Sequence, residues 1–314
     1  MNRNQQVATK VRHGQIALLA LALVWLVGLA VLAEEATSCP ETERVTDSRT
    51  IADETLSEIS GLVASRSQPG ILWVHNDSGD GAVVYAIDFD GQLLARVQLL
   101  RSDGSKIDAV DCEDIALGPG PSDGDFLFLA DIGDNAGSRE TIRIYRFSEP
   151  HVTVEANGHV ADMAAECDVI EAAYPDRPRD AEALLVDPLS GEVVIVSKDF
   201  INARAYRVPN RLEGIATLEF LVELARGFIT GGDISGDGLS IVLRGYWNAE
   251  IWTRSPGANW WESLGMPGCP ASLAIEPQGE AIGFSDSGQG YLTVSEGVQP
   301  MLHLYRLGLG EPAS

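Results

Sequence analysis

After residue 40 the chain alternates short apolar runs with polar clusters, and no stretch keeps the i, i+3, i+4 spacing of an amphipathic helix for long. The runs are rich in β-branched and aromatic residues. Gly, Asp, Asn, Pro and Ser bound them, which predicts strands joined by tight turns. Compared with itself, the chain repeats. Four units open with Glu before a short apolar strand: Glu58-Ile59-Ser60-Gly61-Leu62, Glu113-Asp114-Ile115-Ala116-Leu117, Glu182-Ala183-Leu184-Leu185-Val186 and Glu280-Ala281-Ile282-Gly283-Phe284. A second strand follows in each unit and ends in a charge, at Asp77, Asp131, Lys198, Arg244 and Glu296. A third carries an aromatic, at Tyr85, Tyr145, Tyr206, Trp252 and Tyr305. The remaining unit, fourth in order, lacks the Glu; its opening falls near Thr230, with Asp233 three residues on.

Five units of about 50 residues span 58–307, the size of a propeller blade with its loops. The expected fold is therefore an all-β, five-bladed β-propeller. A six-bladed ring is the alternative, if segment 148–180 holds a further blade. The last unit has no obvious fourth strand. Residues 43–51, ahead of the first unit, are placed to supply it and so close the ring, leaving no open edge.

The first 33 residues read differently. Arg3, Lys10 and Arg12 precede an apolar run over 16–33 that ends in Val31-Leu32-Ala33, the layout of a signal peptide. The run is also long enough to stay as a membrane anchor. The expected organisation is a signal peptide or anchor over 1–33, a linker over 34–42 and the propeller over 43–310, outside the cytoplasm. Without residues 1–33 the net charge falls from −24 to −27. Such a chain repels nucleic acid and anionic membranes, so membrane contact is expected only through the N-terminal segment. Export makes disulfides available to Cys39, Cys112, Cys167 and Cys269, with two bridges and three pairings open.

Antiparallel pairing puts the start of a first strand beside the end of a second. In a propeller the first strand is innermost. Glu58, Glu113, Glu182 and Glu280 are thus expected around one mouth of the channel, with Asp77, Asp131, Lys198, Arg244 and Glu296 beside them as ligand-binding candidates. Crowded carboxylates need protons, basic partners or a cation. Lys198 and Arg244 are the basic residues of the ring and the candidates for holding an anion. Calcium suits the acids, because it takes carboxylate and carbonyl oxygens in flexible geometry. Its candidate ligands are Glu58, Asp77, Asp111, Glu113, Asp131, Asp134, Asp180, Glu182 and Glu280. Asp111 and Asp180 join through the Asp-x-Glu pattern that they form with Glu113 and Glu182. Arg139, Arg177 and Arg179 read as exposed loop charges. Trp247, Trp252, Trp260 and Trp261 read as blade packing and rim, with Trp247 close enough to Arg244 to offer a ligand platform.

The phrases Asp111-Cys112-Glu113-Asp114-Ile115-Ala116, Asp131-Ile132-Gly133-Asp134-Asn135, Asp180-Ala181-Glu182-Ala183-Leu184, Ile234-Ser235-Gly236-Asp237-Gly238 and Gln278-Gly279-Glu280-Ala281-Ile282 resemble secreted bacterial β-propellers described as phytase-like, or as having esterase-like activity of phytase. The resemblance covers most of 55–307. It implies a calcium-bearing acidic channel and, in true propeller phytases, hydrolysis of phosphate monoesters. The phytase signature Asp-Ala-x-Asp-Asp-Pro-Ala is missing here.

Three functions remain open. The first is an exported propeller binding calcium, a small polar or phosphorylated ligand, or a protein partner. The second is a calcium-dependent phosphoesterase in which Lys198 and Arg244 hold the anion. The third is a glycosidase using paired carboxylates. No Gly-x-Ser-x-Gly elbow or His-Glu-x-x-His motif is present, which disfavours serine-esterase and zinc-hydrolase chemistry.

Overall fold

A computed structural model describes residues 39–308 except 46–47 and 155–157. The expected signal or anchor segment lies outside the described residues. Among those described, no helix is long and apolar enough to cross a membrane.

Two short strands, β1 (Glu41–Arg44) and β2 (Arg49–Thr50), precede the repeat. Blade 1 follows as β3 (Ile59–Ala64), β4 (Ile71–Asn76), β5 (Val83–Asp88) and β6 (Leu93–Leu100). Blade 2 is β7 (Cys112–Pro119), β8 (Asp125–Asp131) and β9 (Ile142–Ser148), with β10 (Ala161–Glu166) and β11 (Asp168–Ala173) after it. Blade 3 comprises β12 (Ala181–Val186), β13 (Val193–Ser197), β14 (Arg204–Val208) and β16 (Glu219–Glu223), while β15 (Ala216–Thr217), just ahead of β16, pairs parallel with β11 of blade 2. Blade 4 is β17 (Ile229–Ile234), β18 (Ser240–Gly245), β19 (Ala249–Thr253) and β20 (Cys269–Ala271). Blade 5 is β21 (Gly279–Phe284), β22 (Gly290–Ser295) and β23 (Met301–Gly308).

The five sheets form a five-bladed β-propeller. Its inner strands β3, β7, β12, β17 and β21 pack in turn around the axis, the last against the first. The ring closes as the missing fourth strand of blade 5 predicts: β1 and β2 both pair antiparallel with β23. Segment 148–180 makes no sixth blade. Its β11 is the fourth strand of blade 2, while β10 crosses over and pairs parallel with β6 of blade 1.

The buried apolar side chains of the described residues fall into five groups, each lying between two adjacent blades. The third-strand aromatics Tyr85, Tyr145, Tyr206, Trp252 and Tyr305 are all buried there. Packing on both faces explains why β3, β12 and β17 are buried at every position. The solvent-facing β10 instead alternates. Near the axis the strands come so close that only glycine fits at some positions. A Cβ on Gly231 would lie 2.5 Å from the Glu280 carbonyl oxygen, and one on Gly283 the same distance from that of Leu62. Two buried carboxylates bridge the blades at this level. Asp114 accepts the Leu184 and Gly232 amides at 2.8 and 3.4 Å, and Asp233 accepts that of Phe284 at 2.8 Å.

Cys39 and Cys269 form a disulfide, whereas Cys112 and Cys167 are buried free thiols. One bridge therefore replaces the two that export allowed. Alkylation of the native protein is expected to label neither thiol, denaturation without reductant to expose two, and denaturation with reductant all four. Mass spectrometry of the alkylated protein reads the count.

Candidate functional site

Each inner strand slips register by one residue against its neighbour. The slips fall between Ile59 and Gly61, Cys112 and Asp114, Ala181 and Ala183, Ile229 and Gly231, and Gly279 and Ala281. A bulge of this kind leaves one unpaired residue and re-aims its side chain. The five bulge residues are Ser60, Glu113, Glu182, Thr230 and Glu280. Their contacts show that they converge at the mouth. Ser60 Oγ donates to the Glu113 carbonyl at 2.8 Å and reaches Glu113 Oε2 and Glu280 Oε2 at 3.5 and 3.3 Å.

The bulge fixes a register that the acidic pattern conceals. Glu58 is not the counterpart of Glu113; Ser60 is. Two residues ahead of the bulge stand Glu58, Asp111, Asp180, Phe228 and Gln278, so Glu58 belongs with the two Asp residues. The bulge partners on the second strands are Asn76, Asp131, Ser197, Gly245 and Ser295, because these pair with the residues just before each slip. One residue later come Asp77, Ile132, Lys198, Tyr246 and Glu296. Asp77, Lys198 and Glu296 are thus true equivalents, while Asp131 lies one position earlier and Arg244 two. A shift of one along a strand turns the side chain to the other face.

Arg244, two positions earlier, keeps the face but lies inside the paired strand, opposite Gly231 and Ala249. It is fully buried, ion-paired with Glu276 at 2.7 Å, and donates to the Ala281 carbonyl at 3.1 Å. It is a core residue and does not stand beside Lys198 as an anion clamp. Asp131 is buried as well and accepts from Tyr145 Oη and Arg139 Nη2 at 2.7 Å each. Asp134 folds its own loop, accepting the Ser138 and Arg139 amides at 2.9 and 2.8 Å. Both are occupied by structure. Arg139 is tied to Asp131, and Arg179 is buried against Asp176 and Asp199, so neither is a free loop charge; Arg177 alone of the three is exposed.

Five predicted residues do come together, in two overlapping groups. Oxygens of Asp77, Asp111 and Glu113 lie within 4.8 Å of one another, and so do those of Glu113, Asp180 and Glu182. Glu113 belongs to both. Two buried oxygens at this site, Asp77 Oδ1 and Glu182 Oε2, have no hydrogen-bond partner. The other oxygen of Glu182 is paired with Lys198, whose ammonium also lies 5.1 Å from the Tyr246 ring centre. Gly133 makes room for the first group, since a Cβ there would collide with the carboxylates of Glu113 and Asp111. Glu280 is held by Ser60 and by Gln278 Nε2 at 3.1 Å. Glu58 is exposed at the edge of the site.

Burial and mutual repulsion push protons onto this cluster. Desolvation first, then a shared hydrogen bond and repulsion from Asp111, raises Asp77 to about 7. Desolvation and the charge of Glu280 raise Glu296 to about 8. Glu113 and Glu182 are raised further, mainly by burial. A carboxyl whose folded pKa exceeds its unfolded one stabilises the fold fully at low pH and loses that contribution as pH climbs through the folded value. The metal-free protein is therefore expected to lose thermal stability as pH rises from 5 to 8. Melting scans in chelator across that range measure it.

Blade 4 breaks the acidic ring. Its equivalents of Asp111, Glu113 and Asp77 are Phe228, Thr230 and Tyr246. Trp247 follows, and Phe200 reaches over from blade 3 to Phe228, with ring centres 4.8 Å apart. The charge pattern reaches Thr230 and Trp247 here but passes over Phe200, Phe228 and Tyr246, which carry no charge. The residue after each bulge is Gly or Ala in four units (Gly61, Ala183, Gly231 and Ala281) and Asp114 in the other, and this is the signal that aligns them.

No protein-family model matches the chain, and no curated protein matches it at a significant level.

Proposed function

We propose that this chain is an exported binding propeller that holds a hard divalent cation, calcium, in the carboxylate mouth. One observation carries the reading: two three-carboxylate groups share Glu113 at a site where two buried oxygens lack partners. A buried polar atom without a partner costs about 1–3 kcal/mol, and more if charged, so the arrangement favours a ligand that satisfies it. The spacing fits the ion. Oxygens bound at 2.3–2.6 Å from calcium lie no more than about 5 Å apart. The donor set is all oxygen, which suits calcium or magnesium rather than zinc or copper. Asp77, Asp111, Glu113, Asp180 and Glu182 would hold the cation, with Glu280 and Glu296 close by. Its charge would offset the repulsion that now keeps protons on the acids. The disulfide accords with an oxidising compartment outside the cytoplasm.

The phosphoesterase reading keeps Lys198 but loses Arg244 to the core, and Lys198 is already paired with Glu182. Binding is therefore the better supported function. Titration of calcium into the chelated protein tests it, followed by melting temperature and by elemental analysis after dialysis. A rise in melting temperature with retained metal supports the reading. An unchanged melting curve together with a metal-free protein rejects it.

A further inference from the structure

The same mouth carries a surface that cation binding leaves unexplained. Phe200 is 75% exposed and Trp247 79%, with the apolar Ile201 beside Phe200 at 70%. The rings form a continuous ledge. Phe200 meets Phe228 edge to face, Phe228 meets Trp247 with ring centres 6.4 Å apart, and Trp247 meets Tyr246 at 5.7 Å. Phe228 and Tyr246 occupy ring positions that hold Asp or Glu in other blades, so the ledge is part of the mouth and not a distant patch. Phe228 also adopts a left-handed backbone, φ 55°, which is uncommon for a residue with a bulky side chain.

We propose that this ledge and the adjoining carboxylates bind a saccharide, with the carbon face of a sugar ring lying on Trp247 and Phe200 and its hydroxyl edge turned to the acids. The inference deepens the cation reading and rests on it in one respect: a bound cation neutralises the acids, so the remaining occupant need not be charged. Three features select this class. Exposed aromatic side chains call for a partner with an apolar face that carries little charge. The groups beside the ledge are mostly acceptors, and a cation held by Asp77, Asp111, Glu113, Asp180 and Glu182 would have coordination positions open to hydroxyl oxygens, so the ligand should bring several hydroxyls. Net charge of −24 and the acid rim exclude an anionic lipid surface or a nucleic acid. A pyranose joins an apolar face to a hydroxyl edge in one rigid body and meets both demands.

The test is binding of the labelled full propeller to an array of neutral and acidic oligosaccharides, in calcium and in chelator, alongside a lysine-rich peptide. Phe200→Ala/Trp247→Ala is the variant, since both side chains are exposed and their loss should leave the fold intact. The expected result is saccharide binding that falls at least tenfold in the variant while melting temperature and calcium response stay as in the wild type. Saccharide binding that persists in chelator keeps the ledge and removes the cation from it. A calcium response without any saccharide binding overturns this inference alone. Binding of the peptide in place of sugars, or sugar binding unchanged in the variant, overturns it too.

Discussion

Replacing Arg244 with alanine is expected to destabilise the propeller by about 3–5 kcal/mol, the usual cost of leaving one member of a buried ion pair without its partner. Arg244 and Glu276 have side chains 0% and 3% exposed. The guanidinium bonds Glu276 Oε2 at 2.7 Å and the Ala281 carbonyl at 3.1 Å, joining β18 of blade 4 to β21 of blade 5. Glu276 Oε1 in turn accepts from Thr293 Oγ1 of β22 at 2.6 Å. Truncation strands the Glu276 charge in the interface between the blades. At roughly 2–4 °C per kcal/mol for a domain of this size, the melting temperature should drop by about 10 °C. Adding Glu276→Gln to the variant should recover part of the loss, because the stranded charge is then gone. A loss below about 1 kcal/mol by denaturant titration would show that the pair does not tie blades 4 and 5 together. The calcium response of Arg244→Ala should persist, since Arg244 lies outside the mouth.

That expectation reverses the role the charge pattern suggests for Arg244, and the reason is physical. The propeller itself was legible because its repeat has three independent marks: an opening polar residue, a charged strand end and a buried aromatic. The closing strand was legible because blade 5 lacks a partner for β23. Register was harder. Aligning strand ends on charge slides Asp131 one position, which turns its side chain to the other face, and Arg244 two, which keeps the face but sets the side chain inside the paired strand, opposite Gly231 and Ala249. Glu58 drew the alignment away from Ser60 for the same reason. Glu113, Glu182 and Glu280 fall at the bulge itself, so in those blades the acidic pattern and the register coincide. The pairing of β10 with β6 had no local signal, because a parallel partner more than 60 residues away is a tertiary choice. Blade 4 was seen as weak when it is chemically different: aromatics stand there at the ring positions of acids. The fold is fivefold while the site is not. The acids of blades 1, 2 and 3 gather in one sector of the mouth, and the aromatic rings of blades 3 and 4 line the next.

Glu113→Gln is expected to abolish the calcium response, weakening affinity by more than the 10–100-fold that loss of an outer partner of a metal ligand costs. Glu113 is the residue common to both carboxylate groups, so its replacement removes one charged ligand from each. Asp77→Asn and Asp180→Asn each touch a single group and should weaken binding less. The stability of the metal-free variant should move the other way. Burial and the repulsion of Glu182, Asp77, Asp111 and Glu280 raise the pKa of Glu113 far above the usual carboxyl range, so in the absence of metal it is carried protonated at neutral pH. The amide mimics that neutral form without the unfavourable ionisation balance, and the metal-free variant should be at least as stable as the wild type at pH 7.5. At pH 5, where an unfolded Glu is less fully ionised, the difference should shrink. Calorimetric titration with calcium at both pH values, paired with melting in chelator, reads affinity and stability separately. Wild-type calcium affinity in Glu113→Gln would place the cation elsewhere. Reduced affinity with a marked loss of metal-free stability would instead make Glu113 a structural residue whose mutation disturbs the mouth only indirectly.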